Sequence, residues 1–371
     1  MTFYSNPNSN HDKVLRAAVN LCAQLGRDKL TMSMIAKEAG VSRGTLYNKF
    51  ENVDGVLAEI WLEAGAGWLD RLERRAPSEI PEALEKCLAQ CITVAPRAPA
   101  ILEIIEVDIV RLFQRAGAQG RASEAQLAWI MALALGQRFA EQSQLTFNFE
   151  MMAGFSDLIA QMPSDWPGDF SPPEHNYPPL QLATTTDDRY DRILTATVLA
   201  VTRSGIANAS MARICRSARV SPGVVLPRFV DYDTLIITTF NALVEAVVSE
   251  NLEVYAPSAG ESMAEQFASS IVASFSPSRK AWRDFRREIY FALPTEPQLV
   301  EPILAGFKRT DVEILKILLD AEMPAELANA VTEWNQMAGV GLSILSDLGV
   351  PVRSLNHFAV SSWMVSLLNL A

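Results

Sequence analysis

Thr31–Phe50, TMSMIAKEAGVSRGTLYNKF, is the stretch on which the reading of the fold turns. Thr31 can cap a helix, and Met34, Ile35 and Ala39 fall on one face of it. Gly40 can take the left-handed backbone that a tight turn prefers. Ser42 caps a second helix, expected over Arg43–Phe50, with Leu46 and Phe50 four apart on its inner face. Arg43, Thr45, Tyr47, Asn48 and Lys49 then face outward or along the flanks. Two short helices, a tight turn and a basic second helix are a helix-turn-helix signature. Arg can fork onto guanine, Asn onto adenine, and Thr can touch a thymine methyl, while Tyr and Lys hold phosphates. The same geometry also builds polar helical hairpins that bind no DNA, so the pattern alone leaves both readings open.

Working outward, residues 1–10 are rich in Asn and Ser and read as an arm. From Asp12, apolar positions Val14, Leu15, Ala18, Val19, Cys22 and Leu25 recur at helical spacing, and Gly26 suits a C-cap. A further helix opens at Asp54. On these residues the run from Val14 to Ile60 resembles the N-terminal domain of TetR-type transcriptional regulators. The resemblance rests on Leu30–Ala36, then AGVSRGTLY at Ala39–Tyr47, Phe50, Asp54 and Leu57, without a gap. It implies DNA contacts from Thr31, Ser33, Ser42, Arg43, Gly44, Thr45, Tyr47, Asn48 and Lys49. Val53 departs from the family, which commonly has a phosphate-binding Lys there, so one backbone contact is in doubt.

A second, altered copy follows. Aligning Asp12–Leu57 on Asp191–Ile236 without gaps gives 13 identities in 46 positions, among them Gly26/Gly205, Ile35/Ile214, Ser42/Ser221 and Phe50/Phe229. The copy differs where DNA would be read. Gly40 becomes Arg219, which strains the turn by about 1 kcal/mol. Arg43 becomes Pro222, which is harmless at a first helical position. Thr45 and Tyr47 become Val224 and Leu226. Asn48 becomes Pro227, which inside a regular helix would cost roughly 3 kcal/mol. Arg213, Arg216, Arg219 and Arg228 remain as candidates for backbone contact without sequence reading.

The expected fold is therefore all-α. It comprises two tandem TetR-like units, each a three-helix head plus a helical body. The boundaries read as a first head at 11–57, a body at 58–162, a Pro-rich linker at 163–186, a degenerate head at 187–236 and a second body at 237–371. The match resumes as MAG at 152–154 and 337–339. On that alignment the first half lacks a counterpart of the last helix, with the linker in its place. Body helices are expected near 81–95, 99–115, 122–141 and 145–162. In the second half they are expected near 261–276, 279–292, 302–321, 324–348 and 352–370. Aromatics at helical spacing, such as Trp282 and Phe285, read as core rather than as a ligand cage.

Charge is unevenly spread. The net charge is −11, yet residues 11–50 carry seven Lys/Arg against three Asp/Glu, and residues 190–229 six Arg against one Asp. Two basic patches on an acidic body fit either a local phosphate-binding footprint or solvated helix faces. Cys22, Cys87, Cys91 and Cys215 make no disulfide scaffold. Cys87 and Cys91 share one helix face and read as small core residues or a redox pair. The polar start MTFYSNPNSNHDK is no signal peptide, and the apolar run Leu235–Val248 is short and holds Glu245. No membrane partner is expected, and the expected location is cytoplasmic.

His11, His175 and His357 lie far apart, and no metal-ligand spacing, phosphate loop or nucleophile motif is visible. No enzyme, cofactor or metal is expected. The resemblance implies a regulator, a repressor released by an unidentified small molecule, with duplex DNA as partner and the first head as main reader. The rival is a non-enzymatic ligand- or protein-binding module that has lost DNA. Two assemblies fit. One chain could form a pseudo-dimer on an asymmetric site, or two chains could pair through C-terminal helices and place their first heads about 34–36 Å apart on a palindrome. The losses in the second head favour the two-chain arrangement.

Overall fold

A computed structural model describes residues 9–74, 80–118, 124–142, 149–163, 165–166, 170–172, 182, 188–254, 261–320 and 322–367. Among them every regular element is helical. In the first half these are α1 (Asn10–Leu25), α2 (Met32–Ala39), α3 (Arg43–Tyr47), α4 (Val53–Arg74), α5 (Glu82–Val94), α6 (Pro99–Ala118), α7 (Glu124–Gln142) and α8 (Phe149–Ala160). In the second they are α9 (Asp188–Ser204), α10 (Met211–Ala218), α11 (Pro222–Val225), α12 (Tyr232–Val254), α13 (Met263–Ser274), α14 (Lys280–Ala292), α15 (Val300–Asp320), α16 (Ala325–Asp347) and α17 (His357–Leu367). No single described helix is long and apolar enough to cross a membrane.

The chain divides into two compact units that do not follow its halves. One holds Met1–Gln119 with Ile344–Val350, the other Gly120–Ser343 with Pro351–Ala371. In the first unit, α1 packs on α2, α4 and α5, and α4 on α5 and α6. Trp61 and Trp68 meet edge to face at 6.1 Å, and the Trp61 indole donates to Asp108 Oδ2 at 2.9 Å. The four cysteines are free and buried. Cys22, Cys91 and burial push the Cys87 thiol well up, which holds it as a neutral core side chain rather than a reactive thiolate.

In the second unit, α9 packs on α10, α12 and α14, α12 on α15, and α13 on α17. Helices α7 and α16 cross at backbone contact. A β-carbon on Gly136 would lie 2.2 Å from the Met337 carbonyl oxygen, and one on Gly341 would lie 1.9 Å from that of Ala132. Beside the crossing, Trp129 stacks on Trp334 at 5.0 Å. The Trp129 indole donates to His357 Nδ1 at 3.1 Å, and His357 Nε2 donates to the Val352 carbonyl at 2.6 Å. The Trp363 indole donates to the Leu158 carbonyl at 2.7 Å, which joins α17 to α8.

Two expectations change here. Two aromatics of the 163–186 linker are docked: Trp166 donates to Ser362 Oγ at 2.9 Å and packs on Trp363, and Phe170 meets Phe358. Most of its prolines lie outside the described residues. The length difference between the halves also falls elsewhere. Each half contains a 13-residue helix running directly into a three-residue 3-10 turn, α5 with Ala95–Arg97 and α14 with Leu293–Thr295. These segments share Ala83/Ala281, Pro96/Pro294 and Pro99/Pro297. Each then continues into three more helices, α6–α8 and α15–α17. Among the described residues the helix found in the second half alone is therefore α13, and α8 stands where the last helix was expected to lack a counterpart. The MAG motifs at 152–154 and 337–339 fall on α8 and α16, which are not matching elements.

Candidate nucleic-acid interface

The first head is built by caps. Thr31 Oγ1 accepts from Met34 N at 3.3 Å and opens α2. Gly40, at φ 66°, closes α2 in the left-handed region. Ser42 Oγ accepts from Thr45 N at 3.0 Å and lies 2.8 Å from Thr45 Oγ1. Leu46 and Phe50 are buried, as are Ile35 and Ala36 across from them. Helix α3 is shorter than expected. It stops at Tyr47, because Lys49 N and Phe50 N both bond to the Leu46 carbonyl and turn the chain. Asn48 is its C-cap, and Lys49 lies beyond the helix.

What remains is one exposed polar surface. Thr31, Ser42, Arg43, Gly44, Thr45, Tyr47, Asn48 and Lys49 are exposed, and Ser33 is half-buried. Arg43 Nη2 donates to Ser33 Oγ at 2.5 Å, so the guanidinium lies across the gap between α2 and α3. Tyr47 is 55 % exposed, a large ring with no core role. Val53, where a phosphate-binding Lys is common, is buried in the first turn of α4 and makes no surface contact.

Three supports of this surface escaped the sequence reading. His11 of α1 stacks on Phe50, sits 2.5 Å from Lys49 Nζ through Nδ1 and faces Glu59 and Glu63 through Nε2. Its position in the first turn of α1 was the available signal. Gln90 of α5 accepts from Arg27 N at 2.6 Å and donates to the Cys22 carbonyl at 3.0 Å. Arg97 grips Asp28 with two bonds at 2.9 and 3.1 Å, while Arg27 pairs with Asp54. The turn after α1 is thus tied to α4 and α5 by polar bonds between residues far apart in sequence.

The second head repeats the backbone with other chemistry. Ser210 caps α10, and Arg219 takes φ 56°, ψ 43°, so the turn keeps its shape with a side chain in the region Gly40 occupies freely. Arg228 N and Phe229 N both bond to the Val225 carbonyl, the same turn as at Leu46. Pro227 therefore sits past the end of α11, where proline is common, and does not kink a helix. Relative to Asn48 it forfeits a single bond, the counterpart of Asn48 N to the Gly44 carbonyl at 3.0 Å. The expected penalty for an interior proline is not incurred. The outer face of α11 offers Leu226, 54 % exposed, in place of Tyr47. Arg213, Arg216, Arg219 and Arg228 are all exposed, and Arg228 donates to the Val224 carbonyl at 2.8 Å.

Comparison with known proteins agrees with this geometry. Residues 14–60 match the family described as bacterial regulatory proteins, tetR family. A fatty acid metabolism regulator protein of Bacillus subtilis (strain 168) is 34% identical over 61 residues, which are 16% of this chain and 31% of that protein. The chain thus spans under a third of the relative's length. The match, the capped α2–α3 pair and its exposed polar face describe one element: residues 14–60 are a TetR-family N-terminal helix-turn-helix domain.

Proposed function

We propose that the chain is a sequence-specific DNA-binding transcriptional regulator, a ligand-released repressor, built from two tandem TetR-like units that serve as each other's partner. The observation that carries the DNA-binding reading is the exposed face Arg43–Lys49 on a capped, buried-backed α3 within the matched domain. Arg43, Thr45 and Asn48 are the base readers, and Tyr47 and Lys49 hold phosphate. Arg213, Arg216, Arg219 and Arg228 give the second head phosphate contacts with little base reading. The Gln90 and Arg97 bonds are the route by which a movement of α5 would tilt the first head.

The single-chain arrangement is supported by reciprocity at the α7–α16 crossing. Ala132, Gly136 and Trp129 each lie 205 residues before Met337, Gly341 and Trp334. Gly136 meets Met337 and Gly341 meets Ala132, and the two tryptophans meet each other. Residue i touching j while j's counterpart touches i's is the pattern of a two-fold interface. Here it occurs within one chain, which reverses the preference for a two-chain dimer drawn from the damaged second head.

Selection of bound duplexes from a random pool tests this reading, with the mass of the complex measured alongside. One chain on an asymmetric site, with one well-defined half and one loosely defined half, is expected. Two chains on a palindrome would overturn the single-chain arrangement. No enrichment would overturn the regulator.

A further inference from the structure

The second unit contains a polar cavity of about 70 Å³ between α12, α13, α14, α15 and α16. Its walls are Val247, Ile271, Phe275, Trp282 and Ile314, and its charged groups are Arg279, Arg283, Arg286 and Asp311. Three guanidiniums against one carboxylate give the space a positive character.

The arginines have different tasks. Arg283 Nη1 donates to the Ser274 and Ser276 carbonyls at 2.7 and 3.0 Å, and its guanidinium lies over Phe275, so it braces the end of α13. Arg286 lies over the face of Trp282 at 5.7 Å and passes Gly339 so closely that a β-carbon there would be 3.2 Å from Nη2. An aromatic face and a glycine hold this guanidinium flat along the cavity wall. Across from it, Gln336 donates to Asp311 and to the Phe307 carbonyl at 3.3 Å, and accepts from the Tyr290 hydroxyl at 3.3 Å. Burial pushes the Asp311 carboxyl up to about 7, against the pull of Gln336 and Arg286, which weakens its claim on the arginines near neutral pH.

Among the described residues, the matched positions of the first half carry other chemistry. Pairing α5 with α14 by Ala83/Ala281 and Pro96/Pro294, and α7 with α16 by Trp129/Trp334, sets Leu88 against Arg286 and Met131 against Gln336. Leu88 and Met131 are apolar and fully buried. The wall helix α13 has no counterpart there among the described residues.

We infer that the second unit binds one small amphipathic anion per chain, a carboxylate with an apolar body, with its charge on Arg286 and its apolar part against Trp282, Phe275 and Ile314. The inference deepens the ligand-release part of the proposed function by naming the effector's chemistry and its one-per-chain stoichiometry. The four-residue polar network opposite Arg286 fixes the orientation of the headgroup.

Calorimetric titration of the full chain with benzoate and hexanoate, and with benzamide and hexanamide as neutral partners, tests it. The carboxylates are expected to bind saturably at one per chain, and the amides not to bind. Arg286→Met should weaken carboxylate binding about tenfold or more, as loss of a charge-assisted pair predicts. Asp311→Asn should tighten it, because a competing negative charge is removed while the Gln336 hydrogen bond remains possible. That second variant also guards against misfolding of the first. Binding of amides as well as carboxylates, two sites per chain, weakening by Asp311→Asn, or no saturable binding at millimolar ligand would each overturn the inference. Anisotropy of a labelled duplex, measured on the same proteins, keeps the two ideas apart. Intact DNA binding without carboxylate binding sinks this inference alone, and carboxylate binding without DNA binding sinks the regulator reading.

Discussion

The two heads share a backbone and differ in what the backbone presents. Both have a hydroxyl-capped eight-residue helix, a left-handed turn residue, a short second helix and a turn that bonds two amides to one carbonyl. One presents Arg43, Thr45, Tyr47 and Asn48 in that frame, and the other presents Pro222, Val224, Leu226 and Pro227. The buried side, Leu46 and Phe50 against Val225 and Phe229, stayed apolar. Packing constrains the inner face to a volume and a polarity, whereas the outer face is constrained by its ligand alone. A helix pair with the same apolar core and fewer outer hydrogen-bonding groups still folds, and Arg213, Arg216, Arg219 and Arg228 stay exposed on it.

The comparison can be broken at several places. The largest effect is expected at the crossing of α7 and α16. Gly136→Ala and Gly341→Ala each drive a methyl into a carbonyl, and each should cost about 3 kcal/mol or more in thermal unfolding. Equal costs would sharpen the reciprocal picture, and a cost at one position only would break it.

Next come the reading faces. Arg43→Ala should lose about 1–3 kcal/mol of specific affinity and relax preference at one base position. The double change Arg213→Ala and Arg216→Ala should weaken all duplexes alike and flatten the salt dependence by roughly two phosphates' worth. Electrophoretic titration over a salt series reads both. A change in site preference from the second pair would mean that the second head reads sequence after all.

The histidines of the two halves differ as their heads do, His11 partly exposed among charges and His357 sealed between Trp129 and Val352. Burial pushes His357 down to about 4. Its neutral form is the folded one, so its contribution is full above the unfolded value of about 6.5 and is lost as pH falls toward 4. Asp311, pushed up to about 7, has the opposite sign, and its contribution is lost as pH rises from about 4 to 7. The wild-type profile mixes the two, so the test is a difference. His357→Gln should be less stable than wild type at pH 7, and the gap should narrow by on the order of 2–3 kcal/mol between pH 6.5 and 4. A constant gap in chemical denaturation would mean that His357 is not held neutral.

The smallest effect sits in the turn. Arg219→Gly should stabilise by about 1 kcal/mol, by relieving a left-handed residue with a side chain. A loss of DNA affinity on top of that gain would give Arg219 a phosphate.

The sequence carried the helical class and the first head because local signals there agree. Thr31, Gly40 and Ser42 mark ends, and Ile35, Leu46 and Phe50 mark the inner face, all within twenty residues. Pro227 misled because its cost depends on where α11 ends, and that end is set by the bond from Phe229 to Val225 rather than by any residue preference. The body was harder to read. The recurrence of MAG falls on α8 and α16, whereas helix order matches α5 with α14, where Ala83, Pro96 and Pro99 recur as Ala281, Pro294 and Pro297. The cavity was invisible because Arg286, Asp311 and Gln336 come from three helices, and each alone reads as an ordinary helix residue.

The crossing of α7 and α16 has a last consequence, for gene dosage. A regulator that must first find a second copy of itself loses operator occupancy with the square of its concentration when scarce. Two units joined by one backbone and serving as each other's partner, as proposed above, would have no such step. Under the proposed single-chain arrangement, occupancy would follow the number of molecules linearly, subunits could not be exchanged with a relative's, and a defective allele could not poison a healthy one by pairing with it. The same arrangement would let one half carry the exposed polar face of α3 and the other the polar cavity, since neither would have to serve in both places of a symmetric pair.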